Sequence, residues 1–145
     1  MRVAAPVPDN ADAILAGLRL GYHCRDFRMR GRDGRMAATL RIQLKLDAET
    51  RIGSGKIRLL EEIERNGSIS AAARAMDMTY RRGWDLIDQM NKAFGQPLVL
   101  GTTGGQGGAE LTDLGRAVVA RFRALEAEVT QVATGHLQAI DALKQ

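Results

Sequence analysis

Residues 67 to 88 read Gly-Ser-Ile-Ser-Ala-Ala-Ala-Arg-Ala-Met-Asp-Met-Thr-Tyr-Arg-Arg-Gly-Trp-Asp-Leu-Ile-Asp. This order leaves the chain few paths. Gly67 follows an amphipathic run and stops it, because glycine tolerates the left-handed conformation that closes a helix. Ser68 caps a second, short helix of roughly Ile69 to Met76. Its Ala71, Ala72, Ala73 and Ala75 let a neighbouring backbone come close. Met76-Asp77-Met78 makes a turn, and Thr79 caps a third helix of about Tyr80 to Phe94. Two helices joined by so short a turn, the second opening on an aromatic and two arginines, predict a helix-turn-helix whose second helix enters the DNA major groove.

The flanking segments complete a winged fold. Leu40, Ile42, Leu44 and Leu46 alternate with polar residues across Ala38 to Leu46, which predicts a half-buried strand. Asp47 to Gly55 reads as a polar turn. Ile57, Leu60 and Ile63, with Leu59 beside them, predict a first helix from about Lys56 to Asn66. After Gly95 and Pro97, a short apolar strand to Leu100 faces Glu110-Leu111 across the glycine-dense loop 101–108. This predicts a β-hairpin wing. Thr112 caps a last helix whose apolar positions are Leu114, Val118, Phe122, Leu125, Val129 and Val132, with Gly135 a possible break. The expected fold is mainly α with a small β-hairpin: a winged helix-turn-helix plus a long C-terminal dimerisation helix. A helix of about 20 to 30 residues, at about 1.5 Å per residue, is longer than one small domain can cover. Its stripe is therefore expected to meet a second copy, the alternative being that it packs wholly within its own domain. The expected division is 1–35, 36–112 and 113–145.

Within residues 1–35, Asp9 to Leu20 could form a short helix with Ile14, Leu15 and Leu18 on one face, and Gly21 to Gly34 is Arg- and Gly-rich with few apolar anchors. Arg19, Arg25, Arg28, Arg30, Arg32 and Arg35 face only Asp26 and Asp33 across residues 19–35. Such composition predicts a poorly ordered arm. Two readings stand: a basic arm on the DNA backbone, or a segment outside the working domain. The formal charge of +4 and pI near 9.7 favour an anionic partner without naming one. Cys24 is the only cysteine, so no disulfide forms within a chain, and with no secretory or membrane-spanning signal the expected location is cytoplasmic.

The candidate DNA contacts are Ser68, Ser70, Thr79, Tyr80, Arg81, Arg82 and Trp84, joined by Thr102, Thr103 and Gln106 of the wing. Arginine can bond guanine O6 and N7 in a bidentate manner, Tyr80 can reach a phosphate or base edge, and Trp84 is equally a DNA-surface or a core residue. The loop Gly101-Thr-Thr-Gly-Gly-Gln-Gly-Gly lacks the Gly-Lys-Ser/Thr ending of a nucleotide-binding loop, so no nucleotide cofactor is expected. His23, Cys24 and His136 make no convincing metal set, and no nucleophile–base constellation exists. The expectation is a protein without cofactor or metal that is not an enzyme. The competing class is a protein-interaction module built on the same scaffold.

Gly55-Lys56, Leu59-Leu60, Ile63, the run Gly67 to Ala73, the run Met78 to Ile87, Met90-Asn91, Pro97-Leu98-Val99, Thr103 to Ala109 and Leu111-Thr112-Asp113-Leu114-Gly115 together resemble the N-terminal domain of the molybdate-dependent regulator family ModE, itself related to the winged helices of LysR-type regulators. The resemblance covers about Leu40 to Val129. It departs where Thr79 and Gly83 replace the family's usual serine and alanine. The resemblance implies a regulator of molybdenum or metal-related genes and a homodimer on a palindromic operator, supported by the terminal helix and the N-terminal strand. Family members carry oxyanion-binding modules after this domain. This chain ends after the long helix and is expected to be a stand-alone member without that sensor.

Overall fold

A computed structural model describes residues 38–101 and 108–144. Its strands are β1 (Gln43–Lys45), β2 (Arg51–Gly53), β3 (Val99–Gly101) and β4 (Ala109–Leu111). Its helices are α1 (Ser54–Asn66), α2 (Ile69–Ala75), α3 (Tyr80–Phe94) and α4 (Asp113–Ala142). The predicted arm, residues 1–35, lies outside the described residues, as do Thr102, Thr103 and Gln106.

The strand predicted over residues 38 to 46 is shorter than its alternation suggests. Only Gln43 to Lys45 are in a ladder, antiparallel to Arg51–Gly53 with Leu44 opposite Ile52. The expected polar turn therefore supplies a strand of its own. Asp47 makes the return possible: its Oδ1 accepts the amides of Glu49 at 2.8 Å and Thr50 at 2.6 Å. Those bonds, Thr50's foremost, hold the Asp47 carboxyl below the usual range.

The core lies where α1 meets the other helices and the wing. Ile57, Leu59, Leu60 and Ile63 of α1 are fully buried, as are Ile52, Ile87, Met90 and Leu98. Gly67 ends α1 at φ 62°, and its amide donates to the Ile63 carbonyl. In the turn after α2, Asp77 takes φ 54°, a left-handed conformation that aspartate tolerates better than most residues. A Cβ on Gly83 would lie 3.5 Å from the Ala73 Cβ, so the small residues do bring α2 and α3 together.

The last helix serves two surroundings, and this corrects the dimerisation set. Phe122 is 3% exposed and sits in the domain's own core, as does Val119, which the apolar stripe omitted. Leu114 and Val118 pack against that core. Leu125 and Val129 are half-buried, and Val132 is 77% exposed. The stripe is thus continuous in sequence but divided in space: Leu114, Val118 and Phe122 belong to intradomain packing. The helix runs through Gly135 without interruption.

Ion pairs fix the first half of α4 on α1. Arg123 grips Glu61 with two bonds of 2.7 Å and also meets Glu126. Arg116 Nε bonds Glu64 Oε1 at 2.9 Å. These carboxylates raise both guanidinium pKa values. The first turn is closer still: a Cβ on Gly115 would lie 2.3 Å from the Leu98 carbonyl oxygen. Along the other half of the helix runs the N-terminal segment, with the Ala38 amide donating to Asp141 Oδ1 at 3.2 Å.

Candidate nucleic-acid interface

Helix α3 presents two faces and two edges. At about 100° per residue, the buried Gly83, Ile87 and Met90 mark the inner face. Arg81, Asp85, Asp88 and Lys92 lie opposite, and all four are exposed. Between these faces lie two edges with different neighbours.

The wing-side edge carries Tyr80 and Trp84. Their rings meet edge to face, with centroids 6.2 Å apart and planes at 85°. Tyr80 is 54% and Trp84 38% exposed. The Trp84 ring reaches the wing, with Cη2 3.9 Å from where a Cβ on Gly101 would stand. Trp84 is therefore neither a core residue nor fully free. It forms the floor between recognition helix and wing and leaves ring surface open.

The other edge carries Arg82 and Gln89, seven residues apart on α3. It faces the first turn of α1, where Lys56 Nζ donates to Gln89 Oε1 at 3.1 Å. Burial, followed by the charge of Arg82, lowers the Lys56 pKa. The sequence around Lys56 marks it only within the family resemblance and not as a site residue, because its bonding partner comes from another helix.

The start of α3 is built to stay in register. Thr79 Oγ1 accepts the Arg82 amide at 3.2 Å, and Ser68 Oγ accepts the Ala71 amide at 3.3 Å. Both hydroxyls are caps, which fix helix ends. Ser70 is exposed on α2. Near the far end of α3, Lys92 pairs with Asp88 at 2.6 Å. No such pair involves Arg81 or Arg82 among the described residues. The positive charge available to a ligand is therefore concentrated in the first turn.

The wing is tied to the helix-turn-helix by backbone bonds. The Ala109 amide donates to the Gly67 carbonyl at 2.8 Å, and the Thr112 amide to the Leu98 carbonyl at 2.9 Å. Asn91 Oδ1 of α3 accepts the Leu98 amide at 2.8 Å. Thr112 Oγ1 donates to the Pro97 carbonyl at 2.9 Å and accepts the Gly115 amide at 3.0 Å. The hairpin base and the recognition helix thus form one unit. Among the described residues no group of three or more His, Cys, Asp or Glu side chains could hold a metal ion, and no described helix is long and apolar enough to cross a membrane.

The model of the bacterial regulatory helix-turn-helix protein, lysR family, matches residues 55–116, from α1 through the first turn of α4. The molybdenum transport protein ModE of Azotobacter vinelandii is 48% identical over 90 residues, 61% of this chain and 33% of that protein. Over this span the chain is similar to the N-terminal winged-helix domain of the ModE family. The DNA-binding transcriptional dual regulator ModE of Escherichia coli K12 is 38% identical over 107 residues, 72% of this chain and 39% of that one. The molybdenum-pterin-binding protein MopA of Rhodobacter capsulatus is 39% identical over 92 residues, 62% of this chain and 35% of that protein. The chain spans about a third of the length of the ModE-family relatives it matches. The solved structure of ArgP from Mycobacterium tuberculosis is a looser likeness: 21% identity and a TM-score of 0.44, over 65% of this chain and 32% of that one.

Proposed function

We propose that this chain is a sequence-specific DNA-binding transcriptional regulator that acts as a homodimer. Helix α3 enters the major groove, with Arg81 reading base edges and Arg82 and Tyr80 flanking it. The wing follows the backbone, to which Thr102, Thr103 and Gln106 offer polar groups. The observation that carries this reading is the first turn of α3: two exposed arginines without ion-pair partners among the described residues, beside an exposed aromatic pair that leads to the wing. Arginine in such a turn suits both guanine and phosphate.

Support for the dimer comes from the second half of α4. Val132, Ile140 and Leu143 are exposed there, and Leu40 of the N-terminal segment lines a shallow apolar groove with Val129, Val132 and Leu137. A two-fold pair of such helices would set two recognition helices on a palindromic operator. The names of the ModE and MopA relatives support molybdenum-related genes as the target class. No reaction is assigned to the domain.

The test is a mobility-shift titration against the operator recovered by footprinting. Replacing Arg81 and Arg82 together with alanine is expected to weaken binding by about 1–3 kcal/mol for each lost base contact. Unchanged binding at matched salt overturns the assignment. If the unaltered protein binds no DNA even at low salt, the interaction-module reading replaces it.

A further inference from the structure

We propose that Lys56 of α1 and Arg82 of α3 together grip a phosphate of the DNA backbone, on the flank of the recognition helix away from the wing. This rests on the DNA-reading role proposed above and extends the footprint to a helix not previously counted in it. Lys56 is half-buried and held in place by Gln89. Gln89 shares its edge of α3 with Arg82, whose charge, after burial, disfavours the Lys56 ammonium.

Lys56 is half-buried, Arg82 is exposed on the neighbouring edge of α3, and neither is ion-paired among the described residues. Asp47 is an acid whose charge favours the Lys56 ammonium. Asp47 forms no ion pair with Lys56, and its Oδ1 is engaged by the Thr50 and Glu49 amides. An oxygen ligand with several acceptors and a full negative charge meets both an ammonium and a guanidinium. A backbone phosphate fits better than a base edge because Lys56 projects from α1, outside the helix that enters the groove. The footprint then has two shoulders, with the Trp84–Gly101 contact leading to the wing on one side and Lys56 on the other.

The test uses the full chain and a short mixed-sequence DNA duplex, titrated by fluorescence anisotropy across a series of salt concentrations. Lys56→Gln is expected to make the plot of log affinity against log salt shallower by about 0.9, the value of one lost phosphate contact. Lys56→Arg keeps the parent slope, which separates charge from fold. A Lys56→Gln slope equal to the parent's overturns the inference, as does equal loss in Lys56→Arg. Arg81→Ala is the reference for the DNA-reading role. If it lowers affinity while Lys56→Gln leaves the slope unchanged, the inference alone fails. If the parent binds no duplex, both fail.

Discussion

Single atoms decide how closely the elements fit, and two glycines show opposite outcomes. At Gly115 a Cβ would meet the Leu98 carbonyl oxygen at 2.3 Å. Backbone cannot move aside as a flexible side chain can, so Gly115→Ala should cost about 1–3 kcal/mol of stability, measured as a lower urea midpoint. At Gly83 the same methyl would rest in ordinary contact with Ala73 and Ile69. Gly83→Ala should therefore stabilise the domain by up to about 1 kcal/mol, because alanine is the better helix former. An unchanged or lower midpoint would contradict that. Asp47 gives a pH signature. Its carboxyl is depressed below 3.8, chiefly by the Thr50 amide. The charged form is favoured on folding, so its contribution is present above the unfolded pKa and lost as pH falls through the folded one. The stability difference between the parent and Asp47→Asn should be full near neutrality and fade in acid, as thermal melts across pH would show.

Between elements, the clamp of α4 on α1 is the contact to break. The Arg123 and Glu61 side chains are each about three-quarters shielded and share two bonds of 2.7 Å. Arg123→Ala should destabilise the domain by about 1.5–3 kcal/mol, the range for bonds to charged groups, with strong coupling to Glu61→Gln in a double-mutant cycle. The helices themselves were legible in the sequence because Gly67, Ser68, Thr79, Gly95 and Thr112 are local signals whose chemistry acts within one turn. Arg51–Gly53 was not, since its single buried side chain, Ile52, gives no alternation to detect. The split of the last apolar stripe was equally hidden. Periodicity says which residues share a face but not what lies against it, so Phe122 and Val132 look alike until α1 is placed. Lys56 was missed for the same reason: its meeting with Arg82 and Gln89 exists only in three dimensions.

For the whole molecule, the division of α4 separates the half that completes the domain's core from the half proposed for association. Val132→Arg with Ile140→Arg should leave the melting of the winged domain nearly unchanged while shifting a dimer to monomer in sedimentation equilibrium. Affinity for a two-half-site operator should fall steeply, and affinity for one half-site should persist. A dimer that survives both substitutions would move the interface elsewhere. The clamp has a mechanical consequence as well. Thirty residues of helix extend about 45 Å, and the ion pairs to α1 hold only its first half. Such an element is a cantilever: a tilt of about 10° where the clamp ends displaces the far tip by roughly 4 Å over the remaining length of about 24 Å. In the proposed dimer, whatever fastens the two tips together acts with leverage on the gauge between the two reading heads, and Glu61 and Glu64 are the bolts that set it.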